Sequence, residues 1–138
     1  MKSYKLLNHT ADIGIEVWGK TKKELFANTV ESMFDLIVDL TGINNVNEKV
    51  VAIKGADAED LLVNFLREAL YLFNGKRWLV KKCKILELTA GQIVAQLQGE
   101  PYDSDKHQLK KEIKAVTYHG LSIKKTARGW KGKVIFDV

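Results

Sequence analysis

The sequence has few of the features that cross-link a protein or anchor it in a membrane. It contains a single cysteine, Cys83, so no intramolecular disulfide can form, which predicts a reducing compartment such as the cytoplasm. Its apolar runs are far shorter than the roughly 20 residues of a membrane helix, and its first residues lack the apolar core of a secretory signal. One proline and no low-complexity tract leave no evident linker, so the sequence predicts one domain over residues 1–138.

Familiar catalytic and metal-binding motifs are also missing. The chain has no glycine-rich phosphate loop and no Gly-x-Ser-x-Gly nucleophile turn. Its three histidines, His9, His107 and His119, do not have the spacing of zinc ligands, so a zinc site would need three distant positions to converge. Cys83 lies among lysines that would lower the pKa of an exposed thiol, but no base is near it in sequence, and this favours a structural role.

Charge is distributed unevenly along the chain. Residues 1–60 carry 7 basic and 10 acidic residues, a net −3, whereas residues 61–138 carry 15 and 7, a net +8, which together give +5. Such a molecule can orient against an acidic protein or a nucleic acid. No basic segment is interleaved with aromatic residues, so direct sequence-specific RNA recognition has weak support. The basic segment 106–114 fits either a docking patch for phosphate or an acidic partner, or an ordinary solvated face.

Hydrophobic periodicity predicts two helices. Thr21 and Glu24 form a capping box ahead of an apolar stripe with helical spacing. Asp57 is the N-cap candidate of a second helix over residues 58–73. Gly75 follows this helix and predicts a left-handed C-terminal cap.

The remaining apolar segments alternate with the period of strands. The predicted strands are residues 49–53, 78–89, 93–98, 120–126 and 130–138. Helices interspersed with hairpins predict an α+β fold, a single two-layer domain with two main helices packed on a mixed, largely antiparallel sheet. The segment 99–107, which holds the proline, predicts an exposed loop.

The two ends of the chain carry carboxylates in unusual places. HTADIG, residues 9–14, puts a polar step before a strand, which fits either turn chemistry or a ligand or proton-transfer site. Asp137 precedes Val138, whose α-carboxylate adds another negative charge if Val138 is the natural terminus. If Asp12 lies nearby, as chain ends often do, the crowded carboxylates need a proton or a cation between them. Oxygen ligands would fit Ca²⁺ or Mg²⁺ rather than zinc.

Four blocks, in order, resemble the archease family. They are HTADIG at residues 9–14, GEPYDSDKH at 99–107, EIKAVTYH at 112–119 and VIFDV at 134–138. The resemblance spans essentially the whole chain, and four ordered blocks are far more specific than any one of them.

The resemblance implies a non-catalytic protein, not an enzyme, that activates an RtcB-type ligase in tRNA splicing. Such a protein promotes guanylylation of the ligase, multiple turnover and broader nucleotide use, with only indirect contact with RNA. It also implies a bound divalent cation, calcium, with Mg²⁺ or Mn²⁺ as alternatives. The implied metal-binding residues are Asp12, Asp137 and Val138. The residues expected to support that site or to contact the ligase are His9, Lys114 and His119.

Two other functions remain open on sequence grounds. One is an autonomous metal-dependent hydrolase that uses Asp12 and Asp137 with His9 as the base. The other is a general RNA-binding or chaperone-like module that acts through the basic C-terminal half. Intrinsic turnover would favour the first, and RNA affinity with a steep salt dependence would favour the second.

Overall fold

A computed structural model of the chain describes residues 3–8 and 12–138. Within these residues it contains two α-helices, one short 3-10 helix and seven strands. The helices are α1, Lys22–Ile37, and α2, Ala58–Asn74, and the 3-10 helix is Leu40–Gly42. The strands are β1 Tyr4–Asn8, β2 Asp12–Gly19, β3 Asn47–Lys54, β4 Trp78–Leu88, β5 Gln92–Pro101, β6 Ala115–Thr126 and β7 Gly129–Asp137. No helix in this part of the chain has the length and apolarity to cross a membrane.

The strands form two sheets. The first has the order β1-β2-β7-β6 and the second has the order β3-β5-β4. The predicted α+β class and the two helices are confirmed, but every pairing between the described strands is antiparallel and the strands divide between two sheets rather than one mixed sheet. Strand periodicity locates a strand without naming its partner, because side chains alternate in the same way in any sheet.

Both helices begin as the sequence predicts. The Thr21 hydroxyl oxygen accepts a hydrogen bond from the Glu24 N–H at 3.1 Å and caps α1. The Asp57 carboxylate accepts one from the Asp60 N–H at 2.8 Å and caps α2. Each cap satisfies a backbone donor that has no partner within the helix.

The end of α2 lies within one residue of the prediction, but the conformation of its cap differs. Gly75 is right-handed (φ −95°, ψ −36°), and the left-handed residue is Arg77 at φ +54°. A Cβ at Gly75 would overlap the Tyr71 ring in its present position. Arg77 is held from both sides, because its N–H donates to the Phe73 carbonyl at 2.9 Å and its carbonyl accepts from the Tyr102 N–H at 2.7 Å.

One continuous cluster of buried side chains connects the two sheets. Both helices contact strands of both sheets, so the apolar stripe of each helix is covered from two directions. The largest fully buried side chains include Phe26 and Phe34 of α1, Phe65 of α2 and Phe136 of β7. The cluster therefore joins residues from near both ends of the described chain in one core.

Candidate functional site

Two carboxylates lie opposite each other at one end of the first sheet. Asp12 is the first residue of β2, Asp137 is the last residue of β7, and the two are paired in the antiparallel register. Side chains of directly opposed residues project from the same face, with Cβ atoms about 4.5–5.5 Å apart. The fold thus brings together two acidic groups that lie far apart in the sequence.

The end of β7 is held on both sides. Asp137 pairs with Asp12 on one side and with Ala115 of β6 on the other. The Lys114 N–H donates a hydrogen bond to the Asp137 carbonyl at 2.8 Å. Val138 follows directly and is exposed, so its oxygens lie at the same end of the sheet.

This pair has the chemistry of a site for a hard cation. Like charges placed directly opposite each other destabilise a sheet, and a divalent ion between them would remove that repulsion. Residues 3–8 and 12–138 contain no group of three or more His, Cys, Asp or Glu side chains that could share a metal. Two carboxylates with main-chain oxygens and water fit Ca²⁺, which takes six to eight oxygen ligands, better than zinc.

The other predicted site residues are dispersed. His9 lies outside the described residues. His119 is exposed on β6, in the stretch where the pairing with β7 shifts register between Thr117 and Ser122. It is roughly 13 Å along the strand from Ala115, so the structure does not bring it beside the two aspartates. Lys114 adjoins the pair through its main chain, and its side chain is exposed.

Sequence reasoning missed a buried polar cluster in segment 99–107. Glu100 and His107 are buried, although the sequence predicts an exposed loop. The His107 Nδ1 accepts from the Asp103 N–H at 2.9 Å, so the Nε2 carries the proton and donates to Glu100 Oε2 at 2.9 Å. Lys106 Nζ binds the other oxygen of Glu100 at 2.7 Å, and the Asn44 N–H donates to Oε2 at 2.7 Å.

The cluster keeps Glu100 ionised. Burial alone would raise the pKa of Glu100, but hydrogen bonds from Lys106, Asn44 and His107 and the charge of Lys106 outweigh it and lower this pKa to about 2. The signal in the sequence that could have indicated this cluster is a glutamate, a lysine and a histidine within eight positions. The proline and the polar composition concealed it, because they are equally typical of a solvated loop.

The single cysteine is a core residue. Cys83 is buried, and burial together with the nearby Glu31 carboxylate raises the pKa of its thiol to about 12. The lysines beside it in the sequence do not lower that pKa. The structure therefore favours the structural role over a reactive thiol.

A basic groove adjoins the acidic pair. A cavity of about 540 Å³ lies between the end of α2 and the segment leading into β6, lined by Phe73, Asn74, Arg77, residues 109–112 and Lys114. A second cavity of about 320 Å³ continues it, because Asn74 and Lys114 line both. Lys114 connects the groove to the end of β7.

The whole chain matches one protein family. Residues 4–138 fit the archease protein family (MTH1598/TM1083). The chain belongs to the archease family. Protein archease from Methanosarcina barkeri is 39% identical over 99% of this chain and 97% of its own length. Protein archease from Pyrococcus furiosus is 34% identical, with all of both chains covered.

Solved structures in the archease family have the same fold. The solution structure of Methanobacterium thermoautotrophicum protein 1598 superposes with a TM-score of 0.83 at 29% identity and covers both chains completely. The crystal structure of an archease from Thermotoga maritima, described as a possible chaperone, has a TM-score of 0.65 at 26% identity over 97% of this chain and 96% of that one.

Proposed function

We propose that this protein is a non-catalytic activator of an RtcB-type RNA ligase in tRNA splicing, acting in the cytoplasm and promoting guanylylation of the ligase and its multiple turnover. Membership of the archease family over residues 4–138 supports the assignment to this class. The observation that best supports a site at this position is the strand register, which places Asp12 directly opposite Asp137.

In this proposal the two aspartates and Val138 hold a divalent cation, with Ca²⁺ as the first candidate. Asp12 and Asp137 contribute carboxylate oxygens, and Val138 contributes oxygen from its main chain. A bound cation supplies positive charge and ligand positions for oxygen atoms of the ligase or its nucleotide, in a reaction governed by positioning and electrostatics. Lys114 keeps the end of β7 in place through its hydrogen bond to Asp137.

The test is guanylylation of a cognate ligase with GTP in the presence of wild-type protein, Asp12→Asn or Asp137→Asn. Each variant removes one negative charge while preserving shape. Glu87→Gln is the matched control, because it also removes one negative charge and is exposed on β4 of the other sheet. Calcium binding by each protein is measured in parallel by isothermal titration.

Wild type and Glu87→Gln are expected to bind calcium and accelerate guanylylation, whereas both aspartate variants do neither. Full acceleration by aspartate variants that bind no cation would contradict the metal site. No acceleration by folded wild-type protein would contradict the activator role itself.

A further inference from the structure

The groove beside α2 has a strongly positive lining. Arg77, Lys110, Lys111 and Lys114 line the larger cavity, and Arg67 lines the smaller one. All five side chains belong to exposed residues. Glu112 is the only acidic residue among the described lining residues of the two cavities. One cation is partly compensated, since Lys110 Nζ lies 3.7 Å from an Asp35 carboxylate oxygen.

Basic side chains in and beside the groove lie over aromatic rings. The Arg77 guanidinium lies 4.9 Å from the Phe73 ring centroid, and the Arg67 guanidinium lies 5.0 Å from that of Tyr118. Lys76 Nζ is 5.8 Å from the ring of Tyr71, and about half of each tyrosine is exposed. Tyr71, Phe73, Lys76 and Arg77 lie within seven positions of the sequence, whereas the contact between Arg67 and Tyr118 arises only in the folded chain.

The backbone at Arg77 is placed in a conformation that favours glycine. Its φ of +54° is uncommon for a residue with a Cβ, and such strain is concentrated at functional sites. Glycine would adopt this conformation without steric cost. An arginine occupies it instead, with its guanidinium stacked at the wall of the groove.

Hydrogen bonds fix the opposite wall. The Asn74 side-chain amide donates to the Ile113 carbonyl at 3.0 Å, and Arg67 donates to the Val116 carbonyl at 3.2 Å. The Lys110 N–H donates to the Ile37 carbonyl at the end of α1 at 2.8 Å. The groove is therefore formed before any ligand arrives, which reduces the entropy that binding must overcome.

We propose that this groove binds single-stranded RNA directly, an activity beyond the activation of the ligase. Arg77 and Lys111 contact backbone phosphates, and Tyr71, which lines the smaller cavity, provides a face on which a base stacks. The exposed Tyr71 ring favours RNA over an acidic peptide, which has the charge but no planar bases. The continuity of the two cavities favours a strand over a mononucleotide.

The experiment measures fluorescence anisotropy of a labelled 12-nucleotide oligouridylate mixed with the protein alone in a chelating buffer. Arg77→Gly is expected to weaken binding at least fivefold and to reduce the slope of log affinity against log salt by about 0.7, the value for one lost phosphate contact. Tyr71→Leu is expected to weaken binding about fivefold to a hundredfold with no change in slope, because it removes stacking rather than charge.

Lys84→Glu is the control, because Lys84 is exposed on β4 and lines neither cavity. It should leave the affinity within about twofold of wild type, although it changes the net charge more than either groove variant does. Circular dichroism verifies that every variant is folded.

Three results would overturn the proposal. They are no binding by wild-type protein, wild-type affinity in both groove variants, and competition by poly-glutamate as effective as that by unlabelled RNA at equal charge. The last result would identify an acidic protein segment as the ligand. Since the assay contains neither ligase nor divalent cation, its outcome is independent of the guanylylation test.

Discussion

At the scale of single residues, the opposed aspartates predict a stability change with an unusual sign. Without divalent cations, Asp137→Asn should raise the free energy of unfolding by about 0.2–1 kcal/mol, because it removes a cross-strand repulsion with Asp12. Asp12→Asn should do the same, and the double variant should gain little more than either alone, since one repulsion is removed only once. Urea unfolding with a chelator present measures the free energy of unfolding of the wild type, the two single variants and the double variant.

A second experiment measures thermal unfolding of the same proteins with added calcium. Calcium should raise the melting temperature of the wild-type protein and leave both single variants unchanged, because a ligand stabilises only the state that binds it. A loss of stability in the chelated variants would contradict the cross-strand repulsion.

The lowered pKa of Glu100 predicts how the stability of the protein changes as the pH falls. Its folded-state pKa, about 2, lies below its ordinary value of 4.5, so the unfolded chain takes up the proton first as pH falls. The stability that Glu100 contributes is complete above pH 4.5 and is lost progressively as pH falls toward 2. Glu100→Gln should therefore be about 1–3 kcal/mol less stable than wild type at pH 7 and approach it near pH 2.

Denaturant unfolding at several pH values tests this, with Glu87→Gln as the control. Glu87 is exposed, so its variant should follow the wild-type curve within about 0.5 kcal/mol. If the free energies of unfolding of Glu100→Gln and wild type differed by the same amount across the acid range, the Glu100 charge would contribute nothing to stability.

At the scale of elements, the second sheet depends on a close approach between β4 and β5. A Cβ on Gly99 would overlap the Leu79 carbonyl oxygen, which is backbone and cannot rotate away. Gly99→Ala should therefore cost roughly 3 kcal/mol or more in urea unfolding. Gly42→Ala is the control, because its Cβ would meet nothing nearer than the Lys106 carbonyl oxygen at 3.5 Å. Equal stability of the two variants would contradict the close approach.

The elements also show what sequence reasoning can and cannot reach. Caps and periodicity are local, so Thr21 and Asp57 located both helix starts. The end of α2 was predicted within one residue, but the left-handed conformation was predicted at Gly75 and lies at Arg77, whose carbonyl accepts a hydrogen bond from the Tyr102 N–H. That hydrogen bond is a tertiary contact, which no local pattern contains.

At the scale of the whole molecule, the shared core predicts cooperative unfolding. One buried cluster includes residues of both sheets and both helices, so neither sheet has a core of its own to retain. Far-ultraviolet circular dichroism and tryptophan fluorescence should give coincident transitions. Trp78 lies in the second sheet and Trp18 in the first, so the fluorescence reports on both. Two separated transitions would contradict the prediction of one domain over residues 1–138.

The candidate site was accessible from sequence only in part. The pairing of Asp12 with Asp137 followed the general tendency of chain ends to lie together, and the register gives that idea a definite geometry. The basic groove was accessible only in part: Tyr71, Phe73, Lys76 and Arg77 are neighbours in the sequence, but Arg67 meets Tyr118 only when α2 packs beside β6. The distribution of charge along the sequence shows that the C-terminal half is basic, but it does not show how the basic side chains are arranged in space.

The position of β7 has a consequence for the order of folding. The second sheet and α2 come from a continuous stretch of chain, whereas the pairing of β2 with β7 closes the long loop from Gly19 to Trp130. Closing so long a loop is entropically unfavourable and slows folding. Asp12 and Asp137 meet only when β2 and β7 are paired, so any ligand that bridges them binds only molecules in which this long loop is closed, and it opposes the reopening of the loop.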